Sequence, residues 1–475
     1  MRRTSVVVTA CALLAAFGSV PRVNAQSAQP GTVNQYKFHD VGTLGGSLSI
    51  FFNVDLSGGD FTPSPLNHEG DLAGIYLNKA GFAASFVYAD GKDTRLPSLI
   101  NANSGGGGSN ALGINDAGLV IGISNDGGVS SFNNQLLNHA VSWREGRIQR
   151  LADLGGNDSG ANAVNNSGLI AGYSYNTIPD QYSFYGTQLH ATTWLHGKLS
   201  DLGTLGGTDS EAWLANDNGQ VIGIAFLNTL PEPPFNQPQD DAFLWSAGTM
   251  TDLGTLGGSF STPTSINRSG QVTIISLDAT NSFFQSYLWS NGTKAVLNSV
   301  GGNFNEALML NDAATVIGWN SDASDTDVLA TMWSSAGSGQ LLGTIGTDTG
   351  SIALGINKQG TVVGGSGTIT LTGGTNYTHA FVWQKGQMLD LNTLIPAGSS
   401  LTLNVAYSIN NEGVIAGLGT DSSGNTHAFL LTPDASDASV FRSAGSEPVA
   451  PGSSIRMASP LERTVRAAYA LRQAR

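Results

Sequence analysis

One four-residue pattern, Asn-x-x-Gly followed by a short apolar run, recurs eight times and limits what this chain can fold into more than any other feature. Its asparagines are Asn67, Asn115, Asn165, Asn216, Asn267, Asn311, Asn357 and Asn410, spaced 48, 50, 51, 51, 44, 46 and 53 residues apart. Glycine follows three residues later in seven copies, and Ala314 stands there in the sixth. A period near fifty suits a unit of four short strands better than the coil of a thin solenoid.

The seventh copy shows the parts in order. Residues 353–357 read as strand A and residues 361–364, after the turn, as strand B; a variable loop then leads to strand C at His379-Ala380-Phe381-Val382-Trp383. A second tight turn at Lys385-Gly386 opens strand D at 388–394. Asn favours the first position of a type I turn and Gly the left-handed position after it, so the motif reads as a hairpin connector, strained where Ala314 replaces glycine. Trp143, Trp194, Trp245, Trp289, Trp333 and Trp383 share one strand-C position. Aromatics repeating with the unit read as packing between neighbouring sheets.

Strand D carries Asp-Leu-Gly-Thr-Leu-Gly-Gly at 201–207 and 252–258, with weaker forms elsewhere, but the eighth unit stops after its strand C at 427–431. The missing sequence lies at the other end, at 40–46. Pairing that first strand with the last three would complete the unit and remove two open sheet edges. The expected fold is therefore all-β, an eight-bladed β-propeller of four-stranded blades over residues 36–432, clasped by residues 36–46.

Outside that body, Arg2 and Arg3, an apolar run and Val23-Asn24-Ala25 read as a signal peptide over 1–25, followed by a linker at 26–35. Cys11 lies in the apolar run, so the mature chain has no thiol chemistry. Removing Arg2, Arg3 and Arg22 takes the formal charge from −14 to −17, which disfavours nucleic-acid backbones. No stretch after the signal is long and apolar enough for a membrane span. The expectation is a secreted monomer, extracellular or periplasmic, ending in a flexible tail at 433–475 whose residues 461–475 read as a short basic helix.

The strand-C copies His379-Ala380-Phe381 and His427-Ala428-Phe429, alternating with the Asp-Leu-Gly-Thr-Leu-Gly-Gly strand, resemble the bacterial "probable extracellular repeat, HAF family" proteins. Other copies drift: His139-Ala140-Val141, His190-Ala191-Thr192 and Asp241-Ala242-Phe243. The resemblance implies export and a repeat architecture, and brings neither catalytic residues nor a substrate.

Few residues offer chemistry. His139, His190, His379 and His427 hold one repeat position, on strands too far apart to converge on one ion, and read as local hydrogen-bonding groups. Asp322, Asp325 and Asp327 are weak candidates for Ca²⁺, without the spacing of an EF-hand loop. No catalytic motif stands out, so catalytic residues are not assigned and the reading leans away from an enzyme. Sequence variation concentrates in the loops between strands B and C, on the rim opposite the tight turns. Tyr173, Tyr175, Tyr182, Phe184 and Tyr185 crowd the third unit's loop; Phe235 lies in the fourth's, Phe283 and Phe284 in the fifth's, and Phe132 in the second's. These aromatics suit sugar faces, a protein partner, or an inward plug. The functional expectation is a binding module for polysaccharide or cell-surface glycan on that rim. An extracellular hydrolase or lyase and a structural envelope protein are the alternatives.

Overall fold

The computed structural model describes residues 36–51, 65–100, 108–181, 183, 185–230, 238–434 and 454–457. The expected signal peptide, the linker, the basic helix at 461–475 and residues Tyr182, Phe184 and Phe235 lie outside them. The described part is all-β, its helical content being one 3₁₀ turn at Leu391–Thr393.

Antiparallel four-stranded meanders make up the sheets. The fourth unit shows the order: Ser210–Ala215, Val221–Phe226, Asp240–Ser246 and Thr249–Asp252 pair in sequence. Its sheet joins the fifth unit's through one parallel bridge, Asp240 to Phe260. The N-terminal strand Tyr36–Asp40 pairs with Thr426–Pro433 from Tyr36 opposite Pro433 to Asp40 opposite Phe429, in the position of a strand D.

Each turn expected from Asn-x-x-Gly forms. In the third unit Asn165 Oδ1 accepts the N–H groups of Ser167 and Leu169 at 3.1 and 2.9 Å, and the Gly168 N–H donates to the Asn165 carbonyl at 3.1 Å. Gly168 takes the left-handed φ of 82° that this turn requires. Ala314 adopts the same conformation at φ 56°, where a Cβ is penalised by about 1 kcal/mol. Ala314→Gly should accordingly raise unfolding stability by about 0.5–1 kcal/mol in chemical denaturation, and an unchanged or lowered midpoint would show that the methyl's packing outweighs the relief. A second local constraint lies in strand B. A Cβ on Gly223 would sit 1.9 Å from the Glu211 carbonyl, beside the bulge between Ala212 and Leu214, and Gly122, Gly172 and Gly318 face the same closeness at 1.9–2.0 Å.

Packing follows the expected division. Trp143, Trp194 and Trp333 are buried between neighbouring units, each donating its indole N–H to a backbone carbonyl of the preceding unit's end: Pro97, Ala152 and Asn298. Within the stretch read as a flexible tail, Ile455–Met457 forms a strand instead. It pairs with Thr375, Asn376 and Tyr377, where Ile455 and Met457 alternate onto the apolar cluster containing Tyr377 and Tyr407.

Candidate functional site

The four strand-C histidines stay apart, each against a carboxylate. His190 Nδ1 lies 2.9 Å from Asp201, and His427 Nδ1 2.8 Å from Asp40, so the His of one motif meets the Asp of the other on neighbouring strands. His139 and His379 reach Asp126 and Asp348, both at 2.8 Å. These are orienting contacts within the sheets.

The candidate calcium loop is held by its own hydrogen bonds. Asp322 accepts from the N–H groups of Thr326 and Asp327 and from Ser324 Oγ, while Asp325 accepts from Asn303 and Ser321. Asp327 faces Thr349 at 3.4 Å. Among the described residues no group of three His, Cys, Asp or Glu is placed to hold a metal ion.

On the variable-loop rim the tyrosines turn inward. Tyr175 is 2% exposed and Tyr185 9%, packed edge to face at 5.0 Å with Leu189, Trp213, Ile224 and Phe226 around them. The half-buried Tyr173 donates to Asp158 at 3.2 Å, and Tyr185 to the Leu136 carbonyl at 3.1 Å. Phe283 packs on Phe304 and Phe284 on Phe260, so these two diverge. The described aromatics of the third and fifth units thus fill the rim.

What remains outside is a row of apolar side chains on the second, third and fourth B–C loops: Val129, Phe132, Leu136, Ile178 and Leu230, with Phe132 60% and Leu230 65% exposed. Phe132 is presented by a loop hydrogen-bonded within itself. Ser130 N–H donates to the Gln135 carbonyl at 2.8 Å, Asn134 N–H to the Ser130 carbonyl at 2.9 Å, and Phe132 N–H to Ser130 Oγ at 3.1 Å. The ring lies against Gly186, where a Cβ would come within 2.9 Å of it. From 127 to 138 the second loop carries no charge, only Ser, Asn, Gln and Gly around the apolar groups.

Towards the axis from this row lie two unusual acids. Burial pushes Asp158 up to about 6, against hydrogen bonds from Asn138, Tyr185 and Tyr173 that pull the other way. Burial also pushes Glu211 up to about 7, aided by the Asp158 charge and opposed by bonds from Asn162 and Trp213. Asn162 Nδ2 lies 3.0 Å from Glu211 Oε1.

The tight-turn side holds a cavity of about 330 Å³, lined by residues from all eight units. Aliphatic residues from the ends of the A strands, among them Ile114, Val164, Ile266 and Ile356, form its floor. Above them the motif asparagines make a belt: Nδ2 of Asn67 donates to the Asn115 carbonyl, and so on through Asn165, Asn216, Asn267, Asn311, Asn357 and Asn410, whose Nδ2 donates to the Asn67 carbonyl at 2.9 Å. Sequence reasoning found the turn and missed this second bond. A second missed position is the strand-A serine. Ser49, Ser109, Ser159, Ser210, Ser261 and Ser351 each accept, through Oγ, a strand-C N–H from the neighbouring unit. Their recurrence was visible, 50 or 51 residues apart from Ser109 to Ser261.

No family profile matches the sequence, and no curated protein does. Solved structures of similar architecture exist at very low identity. A prolyl endopeptidase is 10% identical with a TM-score of 0.45, covering 80% of this chain and 55% of its own. Porphyromonas gingivalis dipeptidyl peptidase 4 is 11% identical with a TM-score of 0.46, covering 87% and 61%. The polysaccharide lyase Uly1 is 9% identical with a TM-score of 0.36, covering 84% and 98%. The chain therefore spans little more than half the length of the first two, and likenesses this distant say nothing of what it binds.

Proposed function

We propose that this chain is a closed eight-bladed β-propeller, exported and related to the HAF repeat proteins, that binds a polysaccharide or cell-surface glycan on its variable-loop rim. The belt of eight asparagines and the pairing of Tyr36–Asp40 with the last unit support closure. The His427–Asp40 contact supports it too, because it repeats the His190–Asp201 contact across the two chain ends. For the ligand, the observation that carries the reading is Phe132, held outward on a hydrogen-bonded loop among uncharged amide and hydroxyl side chains. An aromatic face stacks on the C–H groups of a sugar ring, and neighbouring amides satisfy its hydroxyls. A preformed loop leaves little ordering to be done on binding.

Binding to a polysaccharide array should weaken about tenfold in Phe132→Ala and further in the Phe132→Ala, Ile178→Ala double variant, with unchanged thermal stability because both side chains are exposed. Full retention by the double variant would remove the ligand from this rim. The raised carboxyl groups of Asp158 and Glu211 beside Tyr173 favour, as a second reading, a carbohydrate-cleaving enzyme. Release of reducing or unsaturated ends by the wild type and not by Glu211→Gln would select it.

A further inference from the structure

The tight-turn rim, though built from repeated residues, is not uniform. Directly after each motif asparagine comes a residue that is not fixed by the repeat, Asp in three units, Asn in two, and His, Arg and Lys in one each, and these residues surround the mouth of the axial cavity. Acids stand in the second, fourth and sixth units, at Asp116, Asp217 and Asp312. Cationic or titratable groups stand in the first, fifth and seventh, at His68, Arg268 and Lys358. With three carboxylates against the two permanent cations Arg268 and Lys358, the mouth has no strong field of either sign, and it selects neither a polyanion nor a polycation.

Most of these charges are already matched. His68 Nδ1 lies 2.9 Å from Asp116, and Arg268 lies 3.3 Å from Asp217. Two are not matched to each other. Asp312 accepts the Arg268 N–H at 3.0 Å, and among the described residues neither Asp312 nor Lys358 makes an ion pair. An exposed carboxylate and an exposed ammonium thus stand on adjacent turns at the edge of one cavity, above the aliphatic side chains of Leu310 and Ile356.

We propose that the axial cavity is a second ligand site, separate from the variable-loop rim, and that it takes a small zwitterion of the α-amino-acid class. The ligand's ammonium faces Asp312, its carboxylate faces Lys358, and its aliphatic side chain points down onto Leu310 and Ile356. A cavity of about 330 Å³ has room for such a molecule with ordered water. Because both charged groups are solvent-exposed, the expected affinity is modest, in the submillimolar to millimolar range.

The test is calorimetric titration of the full chain with L-leucine, L-alanine, N-acetyl-L-leucine amide and glucose. L-leucine should bind, the neutral amide and glucose should not, and L-alanine should bind more weakly. Asp312→Asn and Lys358→Gln should each weaken L-leucine about tenfold while leaving the thermal midpoint unchanged. Phe132→Ala should leave this binding intact, so that failure of the glycan reading and failure of this one are told apart. Absence of L-leucine binding at millimolar concentration, equal binding of the neutral amide, or undiminished binding by the two variants would overturn the proposal.

Discussion

Asn410→Asp should destabilise the chain by about 2–4 kcal/mol, even though aspartate serves as well as asparagine at the start of a turn. The two side chains share the acceptor oxygen that Glu412 and Val414 N–H groups use at 3.1 and 2.8 Å. They differ at the other atom. Nδ2 of Asn410 donates to the Asn67 carbonyl at 2.9 Å and to the His68 carbonyl at 3.1 Å, joining the last unit to the first. A carboxylate there would present an anion to two carbonyl oxygens in a buried place, losing two bonds and adding a repulsion. Asn165→Asp, which faces the Asn216 carbonyl within the body, is the companion measurement. If the motif were only a turn, both variants would unfold in denaturant with the wild-type midpoint. A large loss at both positions makes the belt a continuous stabilising element, and a loss at Asn165 without one at Asn410 would mean that the chain ends are not held together by it.

That comparison also marks where sequence reasoning stops. The turn was legible because its chemistry is local: one side chain, two backbone N–H groups and a left-handed glycine lie within five residues. The interunit bond was not, since it depends on a carbonyl about fifty residues away that only the fold brings near. The first strand's partner was legible for a different reason, as the sequence at 40–46 repeats a pattern the eighth unit lacks. The strands themselves, however, are Tyr36–Asp40, Lys198–Asp201 and Thr249–Asp252, and the repeated residues after each Asp lead out of them instead of forming strand D. The aromatic loops divide in the same way. Aromatic content in the third unit's loop could be read off, but whether Tyr175 points to solvent or to Trp213 depends on how the neighbouring loop packs. Phe132 stays out because its own loop closes on itself. The strand-A serines were missed although they recur. Asn67 follows Ser49 by 18 positions in the first unit where Asn115 follows Ser109 by 6 in the second, and this insertion breaks the spacing at the start.

The second large effect concerns pH. Three acids sit where burial disfavours their charge: Asp158 and Glu211 near the axis, and Asp241, whose carboxyl is raised by burial and by the charges of Asp252 and Asp240. Asp241 occupies the position that histidine holds in the third and eighth units, and there the partner acid makes a stabilising pair. Facing Asp252, an aspartate has to keep a proton instead. A carboxyl raised in the folded state favours folding while it is protonated. Its contribution is complete below the ordinary carboxylate value near 4 and disappears as pH rises through the raised values, about 6 for Asp158 and about 7 for Glu211. Acids shifted the other way act only at the low end. Burial would raise Asp322, but hydrogen bonds from Ser324, Thr326 and Asp327 outweigh it and hold the group low, so its contribution is lost only as pH falls below about 4. Stability should therefore be greatest between about pH 4 and 5 and, from pH 5 to pH 8, fall by on the order of 1 kcal/mol through Asp158 and 2–3 kcal/mol through Glu211. Glu211→Gln should remove one such step and flatten the slope between pH 5 and 8, and Asp241→His should convert the Asp252 contact into the pair seen at His190. Thermal unfolding of the wild type and both variants across that range measures it. A wild-type midpoint that stays level or climbs from pH 5 to pH 8 would mean that these carboxyl groups are charged in the folded chain, and that Glu211 does not hold the proton on which the carbohydrate-cleaving reading depends.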